Sequence, residues 1–266
     1  MPNGSTDSAE ASTRLLGADE APPYSVVNPG AGSPLLLVGD HAGRDIPRRL
    51  KGLGLPPGAL DGHIAWDIGA GGLGEALAAR LGAAFIRQRY SRLVIDCNRD
   101  PTRPDAMPEV SDRVPIPGNA ALDAAARAAR TGEIFAPYHA RIAAELDRRA
   151  GPTVLVSVHS FTPVLAGAAR PWRFGVLHLG ASPFSAAMLA RLRAAFGADL
   201  VGDNQPYSMD GTDFTVPHHA VARGFDYLEL EVRQDLIGEP AGQHRRRRGP
   251  GLIQAPKRVP LAARPV

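Results

Sequence analysis

The sequence predicts an α/β protein, a three-layer α/β/α sandwich built around a mixed, mostly parallel sheet. Two observations support this prediction. Short runs of branched aliphatic residues, bounded by glycine or proline, are typical of strands that are buried on both faces. These runs alternate along the chain with stretches of helical periodicity. Strands that alternate with helices indicate a layered domain with a largely parallel sheet.

The individual elements follow from the same patterns. Helical periodicity predicts three helices, the second interrupted near Gly132 and Pro137: residues 70–81, 122–149 and 185–196. Two polar stretches without periodicity are predicted to be long loops, which are often functional in compact domains: residues 101–118 and 202–219. The apolar runs predict six strands: residues 35–40, 84–86, 92–96, 153–158, 174–179 and 227–232.

The chain divides into three parts. Residues 1–24 form a polar leader that we expect to be flexible, and residues 25–243 are long enough for one large α/β domain. Residues 244–266 form a basic, proline-rich tail with four consecutive arginines, Arg245–Arg248. Such a composition is typical of a solvated, disordered segment. An alternative is that the tail binds an anionic partner, which would make this an interaction protein.

Composition excludes several classes of function. No run approaches the roughly 20 apolar residues of a membrane span, and the N-terminus lacks the pattern of a signal peptide, so no membrane partner is expected. Aromatic residues make up only 6%, and no nucleic-acid motif is present, so no nucleic-acid partner is expected. The single cysteine, Cys97, permits no internal disulfide, which fits a reducing cytoplasm.

Two of the predicted strands end at a histidine. His41 follows the first strand, and His159 follows the run that begins at Thr153. Ligands bind open α/β sheets outside the carboxyl ends of the strands, and histidine is the commonest metal ligand. Each histidine alone is equally well explained as a strand-end residue with ordinary hydrogen bonds. Together they predict one metal site.

Carboxylates and an arginine occur at comparable places. Asp67 precedes a predicted helix, where it would act either as an N-cap or as a third metal ligand. Two histidines and one carboxylate are a usual ligand set of a hydrolytic zinc. Glu231, at another strand end, is the candidate general base. Arg99 with Asn98 is the candidate anchor for a substrate carboxylate, through a bidentate contact.

With these residues in view, the chain resembles the N-formylglutamate amidohydrolase family, between about Val27 and Gly242. The individual motifs are short, but their joint occurrence in this order is specific. They are DHAG at 40–43, WDIGA at 66–70, SRLVIDCNR at 91–99, VHSF at 158–161, GDNQPY at 202–207 and LEVRQDLI at 230–237.

The resemblance implies a fold and a ligand set. The family's fold is similar to that of zinc carboxypeptidases and aspartoacylases, a phosphorylase/hydrolase-like sandwich, and its cofactor is zinc. His41 and His159 match the histidine ligands. The carboxypeptidase pattern places a glutamate three residues after the first histidine, but Arg44 occupies that position here. We therefore expect Asp67 as the third ligand, with Asp40 and Asp45 as alternatives.

The resemblance also implies a reaction. We expect hydrolysis of the acyl C–N bond of an N-acyl amino acid such as N-formyl-L-glutamate, in cytoplasmic amino-acid metabolism such as histidine degradation. Glu231 matches the general base. The alternative is an inactive carboxylate-binding protein of the same fold, and a homo-oligomer is possible. The expected substrate-binding residues are Arg92, Asn98, Arg99, Asn204, His219 and Arg233, where Arg233 either binds a carboxylate or pairs with Asp235.

Overall fold

A seven-stranded mixed sheet forms the centre of the protein in a computed structural model that describes residues 14–180 and 182–238. Its strand order is β1-β3-β2-β6-β11-β9-β10. Four of the six neighbouring pairs are parallel, and only β1–β3 and β9–β11 are antiparallel. The strands are β1 (Tyr24–Val27), β2 (Leu35–Gly39), β3 (Ala84–Gln88), β6 (Val154–Phe161), β9 (Phe174–Leu177), β10 (Val201–Asp203) and β11 (Asp226–Arg233).

Helices cover both faces of this sheet. On one face, Leu73, Leu77 and Met188 join the apolar cluster beneath α1 and α4, and on the other Tyr138 and Val216 join the cluster beneath α3 and α5. The predicted three-layer α/β/α sandwich with a mostly parallel sheet is therefore confirmed. The helices are α1 (Ala70–Leu81), α2 (Ala124–Arg130), α3 (Ala136–Asp147), α4 (Pro183–Phe196) and α5 (Thr215–His219).

Smaller elements connect these layers. A π-helical turn at Thr131–Phe135 joins α2 to α3, so the predicted interruption is a local widening of one helical segment rather than a break. Two short hairpins pair β4 (Val110–Ser111) with β5 (Val114–Pro115) and β7 (Val164–Leu165) with β8 (Ala168–Ala169). The 3₁₀ turns are Arg48–Gly54, Ala59–Asp61, Pro104–Ala106, Pro117–Asn119, Ala198–Leu200, Val221–Arg223 and Gln234–Leu236.

The central strand β6 carries apolar side chains on one face. On its other face, the side chains near its carboxyl end are polar. Because strand side chains alternate, Val156 and Val158 point into the cluster beneath α1 and α4, and Ser157 and His159 point to the opposite face. All four side chains are buried. The fold thus carries the polar groups of β6 into a buried position near the carboxyl ends of the parallel strands.

The strand predicted over 92–96 is wrong, because this buried apolar run folds into turns. The amide of Val94 bonds to the carbonyl of Ser91, and the amide of Asp96 bonds to the carbonyl of Ala106, so no neighbouring strand is paired. Leu93 and Val94 are nevertheless buried. Burial alone does not distinguish a strand from a buried turn, which explains the error. Conversely, the edge strands β1 and β10 were not predicted, and the loop predicted over 202–219 is wrong at its two ends, where β10 and α5 lie.

The described part of the leader packs against the domain. Leu15 is buried, and the Glu133 carboxylate accepts the amides of Leu15 and Leu16 at 2.6 and 2.9 Å. Residues 1–13 and the basic tail at 244–266 lie outside the described residues, so the expectations for them stay predictions. Among the described residues, no helix combines the length and apolarity needed to span a bilayer.

Candidate metal centre and active site

Neighbouring parallel strands bring the predicted site residues to one edge of the sheet. Strands β2, β6 and β11 lie side by side, and His41 follows the end of β2. Glu231 on β11 is in register with His159 on β6. Residues paired across parallel strands point to the same face. Strand β2 is also paired with β6, with Val38 opposite Ser157, so His41 and His159 follow at neighbouring positions. Their ring centroids are 4.9 Å apart.

The third member of the cluster is Asp67. One potential ligand atom from each of His41, Asp67 and His159 lies within 4.8 Å of the others, and all three side chains are buried. The Asp67 carboxylate is 2.9 Å from Nδ1 of His159 and 3.7 Å from Nδ1 of His41. Its side chain does not cap helix α1, whose N-cap residue is Gly69. The capping role is therefore not observed, and Asp67 stays a potential ligand.

The other candidate carboxylates lie elsewhere. Asp40 approaches the opposite nitrogen of His159, at 3.3 Å from Nε2. Asp45 is largely exposed and lies 3.8 Å from Arg89. Neither joins the cluster of three potential ligands.

Each histidine is held by a second carboxylate. Asp96 lies 2.7 Å from Nε2 of His41, and Asp40 approaches Nε2 of His159, to which the Ser157 hydroxyl is also hydrogen-bonded at 3.0 Å. Asp40 in turn accepts hydroxyl hydrogen bonds from several side chains. This arrangement is typical of metal-binding histidines, in which an outer carboxylate fixes the ring orientation and leaves the other nitrogen free for the metal. The hydroxyl donors to Asp40 are Tyr138 at 2.9 Å, Thr215 at 2.8 Å and Ser157 at 3.1 Å.

The residues present fit a metal ion in two respects. Nδ1 of His41 is buried and has no hydrogen-bond partner among the described residues, although buried polar atoms are normally satisfied. Two imidazole nitrogens and one carboxylate oxygen are also a donor set that suits zinc.

Without a metal the cluster is a network of buried ion pairs. Burial alone would lower the pKa of His159, but hydrogen bonds with Asp40 and Asp67 outweigh it and hold this pKa well above its ordinary value. Burial opposes ionisation of Asp67 too, yet the two histidines hold the pKa of its carboxyl well below the usual range. The carboxylates therefore place negative charge next to the histidines. This charge favours the binding of a cation at the cluster.

Glu231 lies beside this cluster with an unsatisfied carboxylate. Its side chain is buried, and Oε2 has no hydrogen-bond partner among the described residues. Burial raises the pKa of Glu231 to about 8, against the opposing effects of His159, Arg92 and Arg170. A buried carboxyl of this kind is suited to exchange a proton near neutral pH. Glu229, two residues earlier on the same face, is also buried, and burial raises its pKa to about 8.

Of the predicted substrate-binding residues, Arg92 lies at the cluster. Its guanidinium is 2.7 Å from Oδ2 of Asp96 and 3.5 Å from Oδ1 of Asp67. Burial would lower the pKa of Arg92, but Asp96 and Asp67 raise it above its ordinary value, so the guanidinium stays charged. Arg92 is thus a fixed cation beside the cluster of His41, Asp67 and His159.

Asn98 and Arg99 are engaged in holding the loop that precedes α5. Oδ1 of Asn98 accepts the amides of Phe214 and Thr215 at 3.1 and 3.0 Å. Nη1 of Arg99 binds Oδ1 of Asp213 at 2.8 Å. This pair therefore already has partners within the protein.

The three remaining predicted residues also have structural partners. The Asn204 side chain bonds to both backbone groups of His178, at 2.8 and 3.0 Å. Arg233 pairs with Asp235 at 2.8 Å, one of the two roles left open for it. His219 is fully buried and bonds to His139 at 2.9 Å. Burial lowers the pKa of His219 to about 3, so its ring stays neutral at physiological pH.

Two residues near Glu231 were given no role from the sequence, and one of them, Arg170, lies in no distinctive motif. Arg170 follows the β7–β8 hairpin, and Tyr207 lies in the second predicted loop. The Arg170 guanidinium donates to the Tyr207 hydroxyl at 2.9 Å. Tyr207 belongs to the GDNQPY motif, but only the fold shows that it meets Arg170.

Asp96 offers a direct test of the metal-centre geometry. We expect Asp96→Asn to weaken zinc binding by about 10- to 100-fold, because the amide cannot stabilise the His41 ring as a carboxylate does. Competition with a fluorescent zinc chelator would measure this change. The exposed Asp199→Asn variant serves as the control and should bind zinc like the unaltered protein. Equal zinc affinity in Asp96→Asn and the unaltered protein would show that Asp96 does not support a ligand.

The site thus combines three potential metal ligands, a buried carboxylate and a fixed cation, as metal-dependent hydrolases do. Comparison with known proteins supports a hydrolase, without identifying a metal. The family model for N-formylglutamate amidohydrolase matches residues 33–238. The chain belongs to the N-formylglutamate amidohydrolase family, whose activity is hydrolysis of a C–N bond other than a peptide bond.

The solved structures that resemble the protein include the following two. A gene product of Agrobacterium tumefaciens shares 39% identity over 86% of this chain and 92% of its own, with a TM-score of 0.82. The N-formylglutamate amidohydrolase of Ralstonia eutropha JMP134 shares 21% identity over 87% of this chain and 92% of its own, with a TM-score of 0.55, which shows a common fold. No curated protein sequence matched the chain.

Proposed function

We propose that the protein is a zinc-dependent amidohydrolase that cleaves the acyl C–N bond of an N-acyl amino acid, releasing a carboxylate and the free amino acid. The family suggests an N-formyl-L-glutamate-like substrate. The observation that carries the proposal is the buried His41–Asp67–His159 cluster with Glu231 in register beside it.

In this proposal His41, Asp67 and His159 hold the zinc ion. A bound zinc ion would act as a Lewis acid, which would polarise the acyl carbonyl and lower the pKa of water. Asp96 orients the His41 ring, and Asp40 orients the His159 ring, in each case through the Nε2 atom of the ring.

Glu231 moves the proton. Its carboxylate accepts a proton from the water molecule that attacks the acyl carbon, and it then delivers that proton to the nitrogen of the leaving amine as the C–N bond breaks. The unsatisfied Oε2 atom and the burial of the side chain support this role. The other buried glutamate of β11, Glu229, is in register with Ser157 instead.

Arg92 stabilises the charge that develops on the acyl oxygen. Its guanidinium is fixed at the cluster by Asp96 and remains charged. A preorganised cation in a water-poor site stabilises such a charge without reorganising during the reaction. The further proposals, a cytoplasmic location and a role in amino-acid catabolism, rest on the single buried cysteine and on the family.

The proposal is tested by a hydrolysis assay on metal-free and zinc-loaded protein. We expect zinc-loaded protein to release free amino acid from members of a panel of N-formyl and N-acetyl amino acids. Removal of zinc by a chelator should abolish the release, and added zinc should restore it. Activity that persists after verified removal of all metal would refute the zinc mechanism, and a zinc-loaded protein inert on the whole panel would favour the inactive carboxylate-binding alternative.

A further inference from the structure

Four arginines lie near the site, and only one of them has no carboxylate partner among the described residues. Arg92 pairs with Asp96, Arg99 with Asp213 and Arg233 with Asp235. The side chain of the fourth, Arg170, donates hydrogen bonds to hydroxyl groups, those of Tyr207 at 2.9 Å and of Thr162 at 3.5 Å. Because a guanidinium has five N–H donors, Arg170 keeps free donors, and no carboxylate of the described residues lies within ion-pair distance of it.

Arg170 is positioned beside the end of strand β11. Its amide bonds to the carbonyl of Pro163 at 2.8 Å, which closes the β7–β8 hairpin. Its own carbonyl accepts a hydrogen bond from Nη1 of Arg233 at 3.2 Å, and Arg233 lies two residues after Glu231 on the same strand. Since residues two apart in a strand share a face, the hairpin brings Arg170 to the side of the sheet that carries Glu231.

Tyr207 is brought to the same place by a close backbone contact. Gly175 on β9 pairs with Glu231, and a Cβ atom at Gly175 would lie only 2.1 Å from the carbonyl oxygen of Gln205. Only glycine therefore lets the segment before Tyr207 cross the sheet next to Glu231. Burial raises the pKa of Tyr207, and the negative charge of Glu231 raises it further, which agrees with this proximity.

Aromatic rings hold the Arg170 guanidinium in place. Its central carbon lies 4.7 Å from the centre of the Tyr207 ring and 5.8 Å from that of Phe161. Cation–π contacts of this kind restrict the side chain without neutralising its charge. The Tyr207 hydroxyl accepts a hydrogen bond from Arg170, and its own proton is free to donate to a ligand.

From this geometry we infer that Arg170 and Tyr207 form the subsite for a free carboxylate of the substrate. A guanidinium and a phenol aimed at one place match the two oxygens of a carboxylate, and the charge-assisted bonds select an acid over its ester. The inference rests on the proposed function, because the subsite selects among the N-acyl amino acids that the enzyme would hydrolyse with Glu231 as the base. It differs from the assignment to Asn98 and Arg99, whose polar groups are bound to Phe214, Thr215 and Asp213.

The test compares acids with esters in Arg170→Gln and Tyr207→Phe. The measured quantity is the ratio of kcat/KM for N-formyl-L-glutamate to that for its dimethyl ester. We expect this ratio to fall by about 10- to 100-fold in Arg170→Gln, mainly through KM for the acid, and by about 3- to 10-fold in Tyr207→Phe. Arg173→Gln is the control, because its exposed side chain lies three residues from Arg170, and its ratio should stay unchanged.

Binding of a product supplies a second readout that does not need turnover. Calorimetry with L-glutamate and with its dimethyl ester should show that Arg170→Gln loses most of the preference for the acid. If the unaltered protein binds glutamate through Arg170 but hydrolyses nothing, the proposed function fails and the carboxylate subsite stands.

Three outcomes would overturn the subsite. The first is that Arg170→Gln keeps both the kinetic ratio and the glutamate affinity. The second is that Arg99→Gln, but not Arg170→Gln, removes the preference for the acid, which would return the anchor to Arg99. The third is that the unaltered protein binds neither glutamate nor its formylated derivative in preference to the ester.

Discussion

Replacing Glu231 with glutamine is expected to lower kcat by about 10²- to 10⁴-fold, the usual contribution of a general base. The amide fills the same volume but cannot accept the proton from water. Zinc content and KM should change little, because Glu231 is not among the three potential ligands. Steady-state kinetics together with elemental analysis of the purified variant would measure both quantities.

Glu229→Gln is the matched control for this experiment. Glu229 lies on the same strand and face, is equally buried, and shares the raised pKa of about 8. It is in register with Ser157 rather than with His159, and so lies two residues further from the carboxyl end of the strand. We expect a smaller loss of kcat there. Near-normal kcat in Glu231→Gln, or an equal loss in both variants, would remove Glu231 from the role of base.

The second large effect is expected at His159, where replacement by alanine should abolish zinc binding and, with it, activity. Loss of one of three ligands leaves only His41 and Asp67 to hold the ion. It also leaves the buried carboxylates of Asp40 and Asp67 without their shared histidine partner. Breaking a buried ion pair of this type costs about 3–5 kcal/mol of folding free energy. Zinc content and thermal unfolding should therefore both change.

Two further variants separate metal loss from unfolding. His159→Gln retains a polar group of similar size, so it should fold better than His159→Ala and still lack zinc. His178→Ala removes a histidine outside the cluster, one that pairs with Asp203 at 2.8 Å, and it should retain zinc and activity. A folded His159→Gln protein with a full complement of tightly bound zinc would show that His159 is not a ligand.

The relation between sequence and structure differs from element to element. The apolar runs at β2, β6 and β11 predicted their strands because branched side chains and Gly/Pro boundaries are local signals. The run at 92–96 is equally apolar and equally buried, yet its backbone bonds to Ser91 and Ala106. Whether a buried run pairs as a strand depends on partners far away in the chain, which local patterns do not encode.

The site divides in the same way. The identities of His41, His159 and Glu231, and their places at strand ends, were evident in the sequence because side chains near the carboxyl ends of neighbouring parallel strands share one edge. That Asp67, rather than Asp40 or Asp45, lies in the cluster depends on contacts that span 92 residues of the chain. Such contacts follow from strand order and register, not from local spacing.

The sequence alone determined the fold class, the strands that carry the histidines, and the residue types available for metal binding and proton transfer, because side-chain alternation and strand-end position are local properties. Only the tertiary structure decided which charges remain uncompensated. Arg99 and Arg233 both form ion pairs with nearby aspartates, whereas Arg170, which lies in no distinctive motif, acts on Glu231 without forming an ion pair among the described residues. Ion pairing depends on distances between side chains from separate elements, and these distances exist only once the sheet, the hairpin and the loops have packed together.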